Sequence, residues 1–310
     1  MFQALADPKT IFLNIRDVIY VGIGILQSLS FLSTEQPDVI FLKGGYVGLP
    51  VGIAAAILNI PFVTHDSDAI PSLTNKIVGR WAKKNATGVK TGNYSYPTNK
   101  IVYVGVPVDH EYRLVSDDSM NKYREEIGIS KDDDLLLVTG GSLGASRINK
   151  AVDLIINKLL VAFPKLHIIL QAGQGNLDDY KDQENNSRVY LHEFIPNMYK
   201  YTGAADLIIT RGGANSMSEL AAQGKACIMI PNPYLAAGHQ LRNAEILNQS
   251  HAVDIIYEHE LLNNPDVLFE NITKLLKYKK DRIELAKNIH SFSEPGAAKQ
   301  IANILLSEIK

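Results

Sequence analysis

The stretch TRGGANSMSELAAQGKACIMIPNP, residues 210–233, reads as the end of a strand, a glycine pair, a helix and a second apolar strand. Arg211, Gly212 and Gly213 stand where the helix begins, and Ser216, Ser218 and Glu219 run through its first turns. A helix N-terminus offers unpaired N–H groups and a partial positive charge, so this place suits an anion. Strand, glycine turn and helix in that order also form the repeating unit of a parallel α/β sheet.

Working outward, short β-rich runs alternate with helical patterns from residue 135 onward, which predicts βαβ units. The runs are LLLVT (135–139), LHIILQ (166–171), RVYLHEF (188–194), DLIIT (206–210), ACIMI (226–230) and AVDII (252–256). A doubly wound sheet of this length takes the order 3-2-1-4-5-6, with its first and fourth strands flanking the crevice where the winding reverses. The loops after those two strands are GGSLGA (140–145) and RGGANS (211–216), so both anion-binding candidates open into one crevice.

The first part of the chain reads as another α/β domain, with strands at DVIFL (38–42), PFVTH (61–65), TGVKT (87–91) and IVYVG (101–105). It reads as incomplete, since no strand with a glycine-rich turn precedes residue 37. Pro, Asp and Ser gather in GVPVDHEYRLVSDDS (105–119), which marks a linker and predicts domains over 1–108 and 109–310. Two apolar stretches invite a membrane test. VIYVGIGILQSLSFL (18–32) is too short to span a bilayer, and YVGLPVGIAAAILNIPFV (46–63) is broken by Pro50, Asn59 and Pro61; both are expected in the core.

With 46% hydrophobic and 21% charged residues the chain is globular in composition, and a formal net charge of -2 argues against a nucleic-acid surface. The single Cys227 lies in an apolar run and reads as a buried structural thiol in a reducing compartment.

The loops exclude some ligands. GGSLGASRIN lacks the Gly-Lys-Ser/Thr ending of a P-loop, its adjacent Gly140 and Gly141 break the dinucleotide pattern, and the second strand ends without a carboxylate for a ribose. What survives is a loop whose N–H groups and Ser142 hydroxyl suit a diphosphate, although tight strand-to-helix packing explains such glycines equally well. Glu219 follows Ser216 by three residues, the spacing of a capping box; alternatively it accepts hydrogen bonds from ribose hydroxyls. Asp66-Ser67-Asp68 has the D-x-D form of some divalent-cation sites, a pattern common by chance. In NKIVGRWAKK (75–84) a helix would put Lys76, Arg80, Lys83 and Lys84 on one face beside Trp81, either a solvated surface or a contact with anionic membrane.

Taken together, FLKGGYVGLPVGIAAAILNIPFVTHDSDAIPSLTNK, GVPV, GGSLGASRIN, FIPNM, ADLIITRGGANSMSELAAQGKACIMIPNP and HQLRNA resemble, in order, the lipid-linked peptidoglycan glycosyltransferases of family 28. These GT-B proteins have two doubly wound Rossmann-like domains and move N-acetylglucosamine from UDP-N-acetylglucosamine to undecaprenyl-diphospho-N-acetylmuramoyl-pentapeptide. The resemblance implies a hexosyltransferase on the cytoplasmic face of the plasma membrane, with the UDP-sugar as a substrate and neither cofactor nor metal. It implies donor contacts from Ser142, Gly144, Ile195 (through its backbone, to uracil), Met198, Arg211, Gly213, Ala214, Asn215, Ser216, Met217, Ser218 and Glu219. His239, Gln240 and Asn243 fall where the sugar hydroxyls are bound, and His65, Asp66 and Asp68 fall in the acceptor domain as candidate catalytic groups. The chain departs from the family at Leu143 (Gln), at Asp109 (Arg), at His65-Asp66-Ser67-Asp68 (HEQN), and in lacking the N-terminal glycine-rich loop with its His. The last departure implies either a truncated reading of the gene or a diverged or split protein whose missing strands come from another chain. A family-28 enzyme with another lipid acceptor, or a UDP-sugar-binding subunit without catalysis, stays open.

Overall fold

The computed structural model describes residues 8–141, 144–183, 186–235, 238–264 and 266–309. The chain forms two compact units: the first ends at Pro107 and resumes at Gly296, and the second is Val108–Pro295.

The first unit runs α1 (Pro8–Glu35), β1 (Ile40–Leu42), α2 (Gly48–Ile57), β2 (Phe62–Asp66), α3 (Leu73–Val78), β3 (Lys84–Thr87) and β4 (Ile101–Tyr103). Its four strands are parallel in the order β1-β2-β3-β4. Alternate residues of β2 face opposite sides. Phe62 packs with Leu42, Ala54 and Val78, and Val63 with Ala86, Val104 and Ile301. Gly52 lets α2 and α3 approach, since a Cβ there would meet Val78 at 2.9 Å.

Three expectations for this half change. The 18–32 stretch is the middle of a 28-residue helix and reaches the core only at its end, where Leu29 and Leu32 pack with Phe62: Val18, Ile19, Tyr20, Ile23, Leu26 and Phe31 are exposed, and only 6% of its most apolar window is buried. By length and hydropathy Arg16–Glu35 is sufficient to cross a membrane. The third strand ends at Thr87, where the expected one begins, because its buried Asn85 and Thr87 escape an apolar pattern. Asn85 accepts from the Thr64 hydroxyl at 2.6 Å and donates to the Gly79 carbonyl at 3.1 Å. Finally, the cationic segment is no continuous helix. It stops at Val78 with Gly79 as C-cap, a Cβ at Gly79 would meet the Asn75 carbonyl at 2.6 Å, and Lys84 opens a strand.

The second unit begins with α4 (Asp117–Ile127), capped by Ser116 and closed by Gly128 at φ 78. It continues through β5 (Asp134–Val138), α5 (Ser146–Ala162), β6 (Leu166–Gln171), β7 (Val189–His192), α6 (Met198–Ala204), β8 (Leu207–Thr210), α7 (Ala214–Gln223), β9 (Cys227–Met229), α8 (His239–Gln249), β10 (Asp254–Ile255), α9 (Glu258–Asn263), α10 (Asp266–Lys277) and α11 (Lys279–His290). All six strands are parallel in the order β10-β9-β8-β5-β6-β7, so β5 and β8 are neighbours, with Val138 opposite Ile209. Ile148, Val152, Ile155, Ile156 and Leu159 of α5 and Leu268, Ile272 and Leu275 of α10 cover Leu136, Val138, Ile168 and Ile209. Each such side chain contributes about 1.5–3 kcal/mol by leaving water. Cys227 is fully buried in β9, and burial pushes its thiol far up, so it is an inert apolar filler.

The last helix, α12 (Ala297–Ser307), corrects the expected 109–310 domain. Its Ile301 packs in the first unit's core with Val63 and Val104, so the chain returns to the fold it started in.

Candidate donor site

The site is built at the carboxyl ends of β5 and β8, the point where the sheet changes winding direction. The loop after β5 is shaped from beneath. Thr139 donates its hydroxyl to Gln171 at 2.7 Å and accepts from the Gly141 amide at 3.3 Å. Asn149 donates to the carbonyls of Gln171 and Ala172 at 3.1 and 3.2 Å. Gly144 sits at φ +71, and a Cβ there would lie 2.2 Å from the Ala172 carbonyl, so packing alone demands this glycine. Ser142 and Leu143 lie outside the described residues.

The loop after β8 divides its glycines between two jobs. Gly212 is forced by packing, since a Cβ would meet the Gln240 carbonyl at 2.4 Å. Gly213 is not: it has an ordinary φ of -75, and none of the described residues stands within 4 Å of where its Cβ would be. It is the N-cap of α7, so among the described residues the first-turn amides of Ala214, Asn215 and Ser216 have no capping side chain. The capping box is thereby excluded, because Ser216 is the third helical residue and not the cap. Ala214 and Met217 are buried, Asn215 is exposed, and Ser216, Ser218 and Glu219 are half-buried. Glu219 accepts no hydrogen bond among the described residues. Burial first, and the charge of Asp109 second, raise its pKa above the usual carboxylate value.

Ile195 is buried, and its own amide and carbonyl make no hydrogen bond among the described residues; Asn197, left-handed at φ 54, then starts α6 with a half-buried Met198. On the other side, His239 and Gln240 open α8 after Gly238 at φ 64. Gln240 is half-buried and accepts from the Asn232 amide at 3.0 Å through Oε1.

Two expected ligand contacts are built into the protein instead. Asn243 is fully buried and donates to the Gly212 carbonyl at 3.1 Å, fixing the loop from below. Arg211 is 12% exposed and donates to the Ile230 carbonyl at 3.0 Å and to Glu258 at 2.5 Å. Sequence reasoning missed Glu258, which comes after the last strand and is buried between Arg211 and Arg147. An acid in the first turn of a helix just after the last strand was its only sequence signal.

In the first unit, His65 and Asp66 do not behave as catalytic groups. The His65 ring is fully buried, with Nε2 at 2.9 Å from the Gly105 carbonyl, and burial lowers its pKa to about 4. Asp66 is buried and accepts from Tyr96 at 2.5 Å, Asn75 at 2.9 Å and the Ser72 amide at 3.0 Å. Three of the roughly four acceptor positions of this carboxylate are thus taken in holding the β2–α3 turn. Asp68 alone of the three keeps contact with solvent. Among the described residues no three His, Cys, Asp or Glu side chains cluster with metal-binding geometry.

Comparison with known proteins agrees with this construction. The glycosyltransferase family 28 C-terminal domain matches residues 135–301, and the family's N-terminal domain matches residues 6–87. The UDP-N-acetylglucosamine–N-acetylmuramyl-(pentapeptide) pyrophosphoryl-undecaprenol N-acetylglucosamine transferase of Acetivibrio thermocellus is 32% identical over 93% of this chain and 77% of its own length. The protein of the same name from Carboxydothermus hydrogenoformans is 30% identical over 96% of this chain and 80% of its own. The crystal structure of Acinetobacter baumannii MurG superimposes with a TM-score of 0.74 at 26% identity, covering 93% of this chain and 78% of that one. Two parallel-sheet units, one with paired loops at its switch point, define a glycosyltransferase of the GT-B class. Within that class the chain belongs to glycosyltransferase family 28.

Proposed function

We propose that this protein transfers N-acetylglucosamine from UDP-N-acetylglucosamine to undecaprenyl-diphospho-N-acetylmuramoyl-pentapeptide. The observation that carries the donor half is Gly213: a helix start that is uncapped among the described residues, at the switch point of a doubly wound sheet, where no described residue's packing requires a glycine. The relatives' shared name supports the sugar and the acceptor. The diphosphate lies between Gly144 and the amides of Ala214, Asn215 and Ser216, with Ser142 contributing from its loop. Uracil meets the backbone of Ile195 and the side chain of Met198, Glu219 accepts from the ribose hydroxyls, and Gln240 and His239 face the sugar. Asn243 and Arg211 act one step back, by holding Gly212 and the loop. An acceptor hydroxyl attacks the anomeric carbon, its proton passes to solvent, and the bond from that carbon to the phosphate oxygen breaks so that UDP departs with the bonding electrons. The helix dipole and first-turn amides of α7 stabilise the charge that develops on the diphosphate, so no metal is needed.

The exposed apolar face of α1 supports a peripheral seat on the cytoplasmic membrane surface, where such an acceptor resides. The parallel sheet of the first unit has β1 at its edge, and a further strand from elsewhere, in cis or from a second chain, fits there. The test is a transfer assay on the full chain with radiolabelled UDP-N-acetylglucosamine in EDTA, offering the muramoyl lipid and diacylglycerol in parallel. Transfer to the muramoyl lipid alone is expected. Transfer to diacylglycerol alone overturns the acceptor reading, and binding of UDP without transfer to either marks a donor-binding subunit.

A further inference from the structure

Resting on the donor reading above, we propose that Arg147 is the cationic side chain that meets the donor diphosphate, and that Glu258 is the residue that positions it. Between Thr139 and Ile148, and between Thr210 and Met217, the only cations are Arg147 and Arg211. Arg211 is 12% exposed and occupied by the Ile230 carbonyl and Glu258. Arg147 is different. It is the second residue of α5, directly after the first of the two crevice loops, and its side chain is 53% exposed.

Glu258 has a side chain 3% exposed and meets both guanidinium groups, with Oε1 at 2.5 Å from Arg211 and Oε2 at 2.6 Å from Arg147. One carboxylate between two cations leaves a positive charge unbalanced, and the exposed member of the cluster is Arg147. The ion pair takes up its Nη1, and the ring of Tyr234 lies beneath its guanidinium carbon at 5.1 Å. A free surface arginine loses rotamer freedom when it grips a phosphate. This one is clamped between a buried carboxylate and an aromatic face, so much of that ordering is done before the ligand arrives. A guanidinium fork is also the shape that pairs two phosphate oxygens. A plain structural ion pair between α5 and α9 would need neither the surplus charge nor the exposure.

The experiment measures UDP binding by calorimetry and uridine binding by ligand-observed NMR, on the full chain and its Arg147→Ala, Arg147→Lys, Glu258→Gln and Arg147→Ala/Glu258→Gln variants. Arg147→Ala is expected to weaken UDP about tenfold, leave uridine unchanged and flatten the salt dependence of UDP binding, with Arg147→Lys in between. Glu258→Gln should weaken UDP severalfold, and clearly less once Arg147 is gone, when only its hold on Arg211 is left to lose. Unchanged UDP affinity in Arg147→Ala overturns the proposal, as does an equal loss for UDP and uridine, which would mark damage to the loop. If Glu258→Gln costs the same with or without Arg147, its role is a brace of the fold and the positioning claim is lost. Should the unmodified chain bind neither ligand, the donor site itself is misassigned and this proposal goes with it.

Discussion

Glu219 lies in the second turn of α7, half-buried, with its pKa raised by burial and by Asp109. The folded protein therefore holds its proton at a pH where the unfolded chain, titrating near 4.5, has lost it. That contribution to stability is complete below the unfolded pKa and disappears as pH rises through the folded one. At neutral pH the ligand-free protein carries the cost of a desolvated carboxylate, so Glu219→Gln should raise its thermal midpoint while weakening UDP by about 1.5–3 kcal/mol, the cost of a lost hydrogen bond to a charged group. Paired melts and calorimetry check this; a lower midpoint with unchanged affinity would assign Glu219 to the fold alone. His65 has the opposite sign. Its folded pKa is lowered from 6.5 to about 4 by burial, so stability is full above 6.5 and is lost as pH falls toward 4, by up to about 3 kcal/mol. Denaturant titrations at pH 7 and pH 4 should show that loss, and His65→Gln, which can still donate to Gly105 without titrating, should remove it. A profile identical in the two proteins would mean that another group sets the acid limit. Position in the resemblance pointed at Glu219 and equally at His65 and Asp66, since an imidazole and a carboxylate look the same in a string whether they face substrate or close a turn.

At the scale of elements, α1 shows where pattern reading fails. An apolar helix with no charge between Asp17 and Glu35 satisfies a core, a membrane and a partner equally, and only its neighbours decide. Here they leave Ile23 and Leu26 exposed at 45% and 68%. If that face rests on lipid, Ile23→Glu with Leu26→Glu should cut co-sedimentation with anionic vesicles at least fivefold and leave UDP affinity untouched. Unaltered sedimentation would remove α1 from the membrane contact. The 75–84 segment fails for a different reason. Its cations repeat at helical spacing, yet Gly79 stops the helix, and Lys84 already belongs to a strand that buries Asn85 and Thr87. By contrast the strands of the second unit were legible to within about two residues, because parallel strands covered on both faces are continuous apolar runs.

At the scale of the molecule, the donor unit closes on itself before the chain ends. The segment 108–295 alone should therefore fold cooperatively and bind UDP in EDTA more tightly than ADP or GDP, with no help from residues 296–310. Calorimetry with the three nucleotides checks the ligand, and a broad, non-cooperative melt of 108–295 would show that α12 matters to this unit after all. The amino-acid sequence by itself determined the doubly wound donor sheet, its winding and the pair of loops at its switch point. Those features arise from local periodicity and from chain-handedness rules that act between consecutive elements. Only the tertiary structure decided that Asn243 and Arg211 support the loop from within, that Glu258 joins Arg147 to Arg211, that His65 and Asp66 are buried, and that the last helix belongs with the first strands. Each depends on burial or on a partner far away in the chain, and neither quantity is written in the order of residues.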